Sequence, residues 1–362
     1  MLSVGYTRED YPERRIIIDK SPFVLYKKER VEGRIPEILT KDECYYSENI
    51  NTNRISLLHF FNSINFGKTP FITSFETIVP RYWNKKSFLI GAKVISRDIC
   101  KKIIAISKNA YDIERKWILE CDITQSIKET ILQKMTVLHP PQPLISNDIS
   151  RFENIKQLRC IFIGNDFFRK GGVQLLRVLT KLKMRMPIQL IIISCLSTGY
   201  NVTEATNEDI MSIEQYIKKN SDWITLYKHV RNDRVLSIAS TCHVGFLPTF
   251  SDTYGFSVLE MQAAGVPVIT TSIRALPEIN NSECGWLINH PPMDHYANMA
   301  PREKLAFSRI VELSLEETFN SILDDLSILI KKSKSATTRI KQYHDPLRYG
   351  IALQQIYENA AH

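Results

Sequence analysis

Between residues 158 and 270 the chain repeats one pattern: a short run of β-branched and aliphatic residues, a polar or glycine turn, then an amphipathic helix. The runs are LRCIFIG (158–164), IQLIIIS (188–194), WITLY (223–227), CHVGFLPT (242–249) and VPVIT (266–270). The helical stretches between them are GGVQLLRVLTKLKMR (171–185), EDIMSIEQYIKKN (208–220), DRVLSIAST (233–241) and the apolar segment that starts near Gly255. Near-continuous Val/Ile/Leu runs belong to strands buried on both faces, and a helix between successive strands lets them run parallel. Residues 151–335 are therefore expected to form a Rossmann-like domain with its helices on both faces of a parallel sheet.

A chain of 362 residues is long for a single core, so a second domain is expected. TVLHPPQPLISNDISRFENIKQ (136–157), with its three prolines, reads as a linker between the two. In residues 1–150 the pattern is less regular. RRIIID (14–19), RISLLHFF (54–61), TPFITSF (69–75), SFLIGAKVI (87–95) and KKIIAISK (101–108) read as strands or short buried elements, and 114–135 as helical. The tail, 336–362, reads as one or two closing helices.

Composition narrows the function classes. Seven scattered cysteines form no CxxC pair, which argues against a zinc site or a disulfide framework and fits free thiols in a reducing cytoplasm. No apolar run has the length of a membrane span, and the first residues lack the apolar stretch of a signal peptide. The formal net charge of +8 is spread without a dense basic block or a basic–aromatic array, so nucleic acid is not an expected partner.

The chemistry is expected at the carboxyl ends of the strands, where open parallel sheets bind ligands. In FIGNDFFRKGG (162–172) a strand ends at Gly164, and Arg169 and Lys170 precede a helix start near Gly171. Cations beside a helix N-terminus make a clamp for diphosphate. In SDTYGFSVLEMQAAGVPVITT (251–271) the helix starts near Gly255, with Asp252 in the loop before it. Glu260 lies about one turn in, among apolar neighbours. An unpartnered buried carboxylate costs several kcal/mol, roughly, so Glu260 needs partners. Two carboxylates beside an anion site suit hydroxyl donors rather than phosphate. A ligand with both phosphates and a polyol, such as a nucleotide sugar, meets both demands; a Glu satisfied by structural hydrogen bonds is the plainer alternative.

These two stretches, in this order, resemble the glycosyltransferases of family 4, retaining enzymes of the GT-B architecture. The resemblance extends over about residues 158–290 and includes the family's E-x7-E signature, with Asp252 in the first position and Glu260 in the second. It implies two Rossmann-like domains facing a cleft, 1–150 on the acceptor side and short or atypical, 151–335 binding the nucleotide sugar. Arg169, Lys170 and Glu260 are implied as the principal active residues, the cations at the leaving diphosphate and Glu260 on the ribose. Gly164, Asp252, the Gly255–Phe256–Ser257 backbone, and His229 and Val230 in LYKHV (226–230) would complete the donor site. Asp in place of the family's first Glu shortens that reach to the sugar by one methylene.

The implied reaction moves a sugar from a UDP-, GDP- or ADP-sugar to a saccharide or lipid-linked acceptor, with no metal or other cofactor. Surface polysaccharide or glycolipid synthesis is the expected setting, in the cytoplasm with peripheral membrane contact through the basic N-terminal half. That half departs from the family pattern, since no glycine-rich loop follows a first strand. His59 and Glu76, at the ends of expected strands, are the acceptor-side candidates. A non-catalytic GT-B-like binding protein with a degraded acceptor lobe is the rival reading.

Overall fold

A computed structural model describes residues 3–18, 27–36, 47–82, 85–198, 204–289 and 298–361. The chain divides into two compact units, one of residues 1–143 with 343–362 and the other of residues 144–342. The division thus falls inside the proline-rich segment read as a linker. The tail also divides, its last helix belonging with the first unit.

In unit one the strands are β1 (Ser3–Tyr6), β2 (Lys27–Arg30), β3 (Ser47–Glu48), β4 (Leu57–Phe61), β5 (Ile64–Asn65), β6 (Phe71–Phe75), β7 (Cys100–Ala105) and β8 (Met135–Val137). Six of them form a parallel sheet in the order β2-β1-β4-β6-β7-β8, and β3 pairs with β5. Its helices include α1 (Tyr11–Glu13), α2 (Lys85–Ile95), α3 (Lys108–Glu120) and α4 (Gln125–Lys134). Residues 87–95, which read equally as a strand, are helical because Phe88, Ala92 and Ile95 recur on one buried face. Residues 14–18 form a π-helical turn rather than a strand. The helical reading of 114–135 is interrupted at Cys121–Ile123, and Thr124 caps the new helix by accepting from the Ile127 amide. Strand β2, KKER, carries no apolar pattern because it is a sheet edge, where charge prevents further pairing.

Unit two contains β9 (Leu158–Ile163), β10 (Ile188–Ile193), β11 (Ile224–Tyr227), β12 (Val244–Leu247), β13 (Val268–Thr271) and β14 (Trp286–Ile288). All neighbours are parallel, in the order β11-β10-β9-β12-β13-β14. Counted within the unit this is 3-2-1-4-5-6, the order of dinucleotide-binding folds. The helices are α5 (Gly172–Leu182), α6 (Asn207–Lys219), α7 (Asn232–Ala239), α8 (Phe256–Ala263), α9 (Leu276–Ile279), α10 (Pro301–Asp324) and α11 (Ile328–Tyr343). Phe307, Val311, Leu315, Phe319 and Ile322 make the buried stripe of α10. No described helix is long and apolar enough to cross a membrane.

The last helix, α12 (Pro346–Ala361), packs on unit one. Its Tyr357 hydroxyl shares a 2.6 Å hydrogen bond with His59 Nδ1 on β4, and His59 Nε2 shares one of 2.8 Å with the Ser74 hydroxyl. His59 is fully buried, and burial lowers its pKa to about 3, so the ring is neutral. The acceptor-side reading of His59 is therefore corrected: its side chain points into the core and locks α12 to the sheet. We predict that His59→Ala lowers stability by about 2–4 kcal/mol in urea unfolding, since it removes both of these buried hydrogen bonds and opens a cavity. An unchanged midpoint would contradict this.

Glu114 on α3 is also fully buried. Its Oε2 accepts from the Val79 amide at 3.1 Å, and burial pushes its carboxyl up to about 8. Below pH 4.5 the carboxyl is neutral in both folded and unfolded chains. As the pH rises from there towards and through 8, the unfolded chain ionises first and the contribution to stability is lost. We predict that Glu114→Gln reduces the fall in melting temperature across that window; an identical pH profile would contradict it.

Candidate functional site

Strands β9 and β12 are adjacent in the sheet but distant in sequence, so the strand order reverses between them. The crevice beyond the carboxyl ends at such a reversal is where open α/β sheets take ligands. Two loops leave the sheet there, residues 164–171 into α5 and residues 248–255 into α8.

The loops are fastened to each other. Gly171 has φ of 77°, and a Cβ there would lie 2.2 Å from the Pro248 carbonyl oxygen, so only glycine permits both the turn and the approach. The Phe250 amide donates to the Arg169 carbonyl at 2.9 Å, and the Thr249 hydroxyl donates to the same oxygen at 3.3 Å. The Arg169 guanidinium donates to the Asp166 carboxylate, with Nε at 3.0 Å, and to the Ser251 carbonyl. Burial would raise Asp166, but the hydrogen bonds and charge of Arg169 outweigh it and hold the carboxyl low. Arg169 is thus engaged within the protein, tying one loop to the other.

Lys170 is disposed differently. A Cβ on Gly164 would lie 2.4 Å from Lys170 Cδ, so the absence of that atom makes room for the lysine stem across the end of β9. The ammonium reaches Asp252, Nζ to Oδ2 3.2 Å, with the two side chains only 16% and 11% exposed. Burial alone would raise Asp252; the nearby charges of Lys170 and Arg169 outweigh it and keep the carboxyl below its usual range. A cation from one loop and a carboxylate from the other therefore meet at the reversal point.

Helix α8 begins at the same place. Gly255, with φ of 88°, is its N-cap, and the first helical N–H groups point towards the crevice end of the sheet. Phe256 is half-buried against Tyr254, with ring centroids 5.0 Å apart. Ser257 is buried, and its hydroxyl has no hydrogen-bond partner among the described residues. One turn on, Glu260 is 4% exposed, and its Oε1 accepts from Asn232 Nδ2 at 2.8 Å. Asn232 is the first residue of α7, which follows His229 and Val230 beyond the carboxyl end of β11. His229 is exposed and Val230 half-buried.

The sequence-derived candidates of unit two, Gly164, Arg169, Lys170, His229, Val230, Asp252, Gly255, Phe256, Ser257 and Glu260, all lie at the carboxyl side of one sheet or on the helix entered from it. Asp166 and Asn232 were not singled out from sequence. Asp166 could have been found as the carboxylate one helical turn before Arg169, in register for an i,i+3 pair. Asn232 carries no such local signal, because its partner is 28 residues away. Among the described residues no group of three or more His, Cys, Asp or Glu side chains is placed to hold a metal ion.

A family model described as Glycosyl transferases group 1 matches residues 147–299. No curated protein sequence matches the chain. Similar solved structures include the sucrose-phosphate synthase of Thermosynechococcus elongatus, with a TM-score of 0.66 and 12% identity, covering 99% of this chain and 98% of that one. HepE of Anabaena, crystallised with UDP and glucose, has a TM-score of 0.63 and 9% identity over 99% of this chain and 100% of its own. A glycosyltransferase of Rickettsia africae ESF-5 has a TM-score of 0.64 and 12% identity over 99% and 98%. At such identities the likeness is one of fold, and that fold is the α/β, parallel-sheet architecture of GT-B glycosyltransferases.

We predict that Gly171→Ala costs about 1–3 kcal/mol, from strain at positive φ and the clash with Pro248. Urea unfolding measures it, and a midpoint equal to wild type would contradict the close approach of the loops.

Proposed function

We propose that this protein is a retaining glycosyltransferase that moves a sugar from a nucleotide-sugar donor to a saccharide or lipid-linked acceptor. The observation that carries this reading is the meeting of Lys170 and Asp252 at the strand-order reversal, with Glu260 one turn into the helix that starts there. The family model over residues 147–299 supports it, as do neighbours of the same fold crystallised with UDP and sugar.

On this reading the donor diphosphate lies at the start of α8, where the helix N–H groups, Lys170 and the Ser257 hydroxyl meet its charge. Lys170 exchanges its pairing with Asp252 for the phosphates, and Asp252 turns its oxygens to hydroxyls of the donor sugar. Glu260, held by Asn232, accepts from the ribose hydroxyls. His229 and Val230 flank the base. Arg169 adds positive charge while fixing the two loops. No metal takes part; the cations and the helix end take that role.

Retention follows from same-face substitution. The bond from the anomeric carbon to the leaving phosphate oxygen breaks as the acceptor oxygen bonds to that carbon. The acceptor's proton passes to the departing phosphate. Stabilising charge on that phosphate is then the main catalytic effect.

Turnover of UDP-, GDP- and ADP-sugars by wild type and by Lys170→Ala tests the reading. We predict a fall in kcat of about 10²–10³-fold with the fold retained by circular dichroism. Full turnover by the variant would contradict the role of Lys170. A saturating nucleotide at 100 times its Kd should also stabilise wild type by about 2.7 kcal/mol. Nucleotide binding without turnover of any donor would instead favour a non-catalytic binding protein.

A further inference from the structure

Unit one has its own reversal of strand order, between β1 and β4. Where the family pattern places a glycine-rich loop after the first strand, this chain has a helical turn, Tyr11–Glu13, running into the π-helical turn 14–18. That turn brings Glu13 within electrostatic reach of Arg8, Asp10 and Glu76. Glu13 is 5% exposed, and its Oε2 is buried with no hydrogen-bond partner among the described residues. Burial is the main cause that pushes its carboxyl up to about 7.

The neighbouring strand ends supply more polar groups. Just past β4, Asn62 is buried at φ 58°, and the hydroxyl of Ser63 is buried and likewise without a partner among the described residues. Just past β6, Glu76 is anchored from two sides. Arg81 Nη2 and Asn62 Nδ2 donate to its Oε1 at 2.9 and 3.4 Å, and its amide donates to Asn62 Oδ1 at 3.2 Å. The nearby cations already have carboxylates: Arg81 pairs with Glu76, and Arg8 lies 3.7 Å from Glu48. Set into this edge are the Glu13 and Glu76 carboxyls and the Ser63 hydroxyl, with Asp10 and Glu48 close by and the cations Arg8 and Arg81 each facing a carboxylate.

Buried polar groups in native proteins are as a rule hydrogen-bonded, so orphans at the carboxyl edge of the sheet, beside a reversal of strand order, need an account. A phosphate would meet the carboxyls of Glu13, Glu76 and Glu48 against the two cations Arg8 and Arg81, whereas the unit-two crevice adds the N–H groups at the start of α8 to its cation–carboxylate pair. A sugar hydroxyl can donate to Glu13 or Glu76 and accept from Ser63.

We propose that the carboxyl edge of the unit-one sheet holds a neutral saccharide by its hydroxyls through Glu13, Ser63 and Glu76, so that the acceptor is an uncharged sugar rather than a phosphorylated headgroup. This rests on the transferase reading above and names the acceptor class for it.

The test uses the full chain and whichever UDP-, GDP- or ADP-sugar it turns over. Transfer is measured to octyl glucoside, octyl galactoside and methyl N-acetylglucosaminide, and separately to inositol 1-phosphate and glycerol 1-phosphate. We expect transfer to at least one neutral glycoside and to neither phosphate. Glu13→Gln, which preserves shape, and Ser63→Ala should each raise the acceptor KM at least tenfold, a larger change than in the donor KM. Transfer only to a phosphorylated probe, donor hydrolysis with no transfer to any neutral glycoside, or variants with wild-type acceptor KM would overturn the proposal. If wild type neither hydrolyses nor transfers from any donor, the transferase reading itself fails and takes this one with it.

Discussion

The candidate site depends on the fastening of two loops that are about eighty residues apart in sequence. Gly171 lies against the Pro248 carbonyl, the Phe250 amide donates to the Arg169 carbonyl, and the Arg169 guanidinium spans Asp166 and Ser251. Removing the close approach would let each loop move independently. Lys170 and Asp252 face each other because the backbones on either side are fixed, and that preorganisation spares a ligand much of the cost of ordering the groups that bind it. The parallel sheet matters here mainly because it sets the ends of β9 and β12 side by side.

Within that frame Glu260 has a definite place. Its apolar neighbours fill the space between α8 and the sheet, and its own oxygen is met by Asn232 from the head of α7. A charge-assisted hydrogen bond of this kind contributes about 1.5–3 kcal/mol and keeps the carboxylate oriented. An oriented carboxylate is selective for hydroxyl donors at a fixed position, which suits the two adjacent hydroxyls of a ribose. A structural hydrogen bond and a ligand-binding role are thus compatible for Glu260, because a carboxylate has about four lone-pair sites and the bond from Asn232 uses one of them.

Much of unit two was legible in the sequence because strands buried on both faces leave continuous aliphatic runs and the turns between them carry glycine. The two junction loops were legible because charge and glycine are rare at the ends of such runs. Unit one was less so. Its edge strand is all charged, SFLIGAKVI has an apolar content that suits strand and helix alike, and Glu13 lies in a turn with no periodic signature. His59, expected at a strand end, is the central residue of β4, and a histidine in an apolar run carries no mark of which way it points. Its partner Tyr357 is 298 residues away, on a helix that returns to the first unit. Contacts between residues far outside one element, such as this one or the bond between Asn232 and Glu260, leave no trace in local pattern.

If Glu260 accepts from ribose hydroxyls beside a diphosphate site, as proposed, those hydroxyls should contribute to nucleotide affinity through Glu260. Calorimetric titration of wild type and Glu260→Gln with UDP and with 2′,3′-dideoxy-UDP tests it most directly. Wild type is expected to prefer UDP by tenfold or more, about 1.4 kcal/mol, and the preference should largely disappear in the variant. An equal preference in both proteins, or none in wild type, would contradict it.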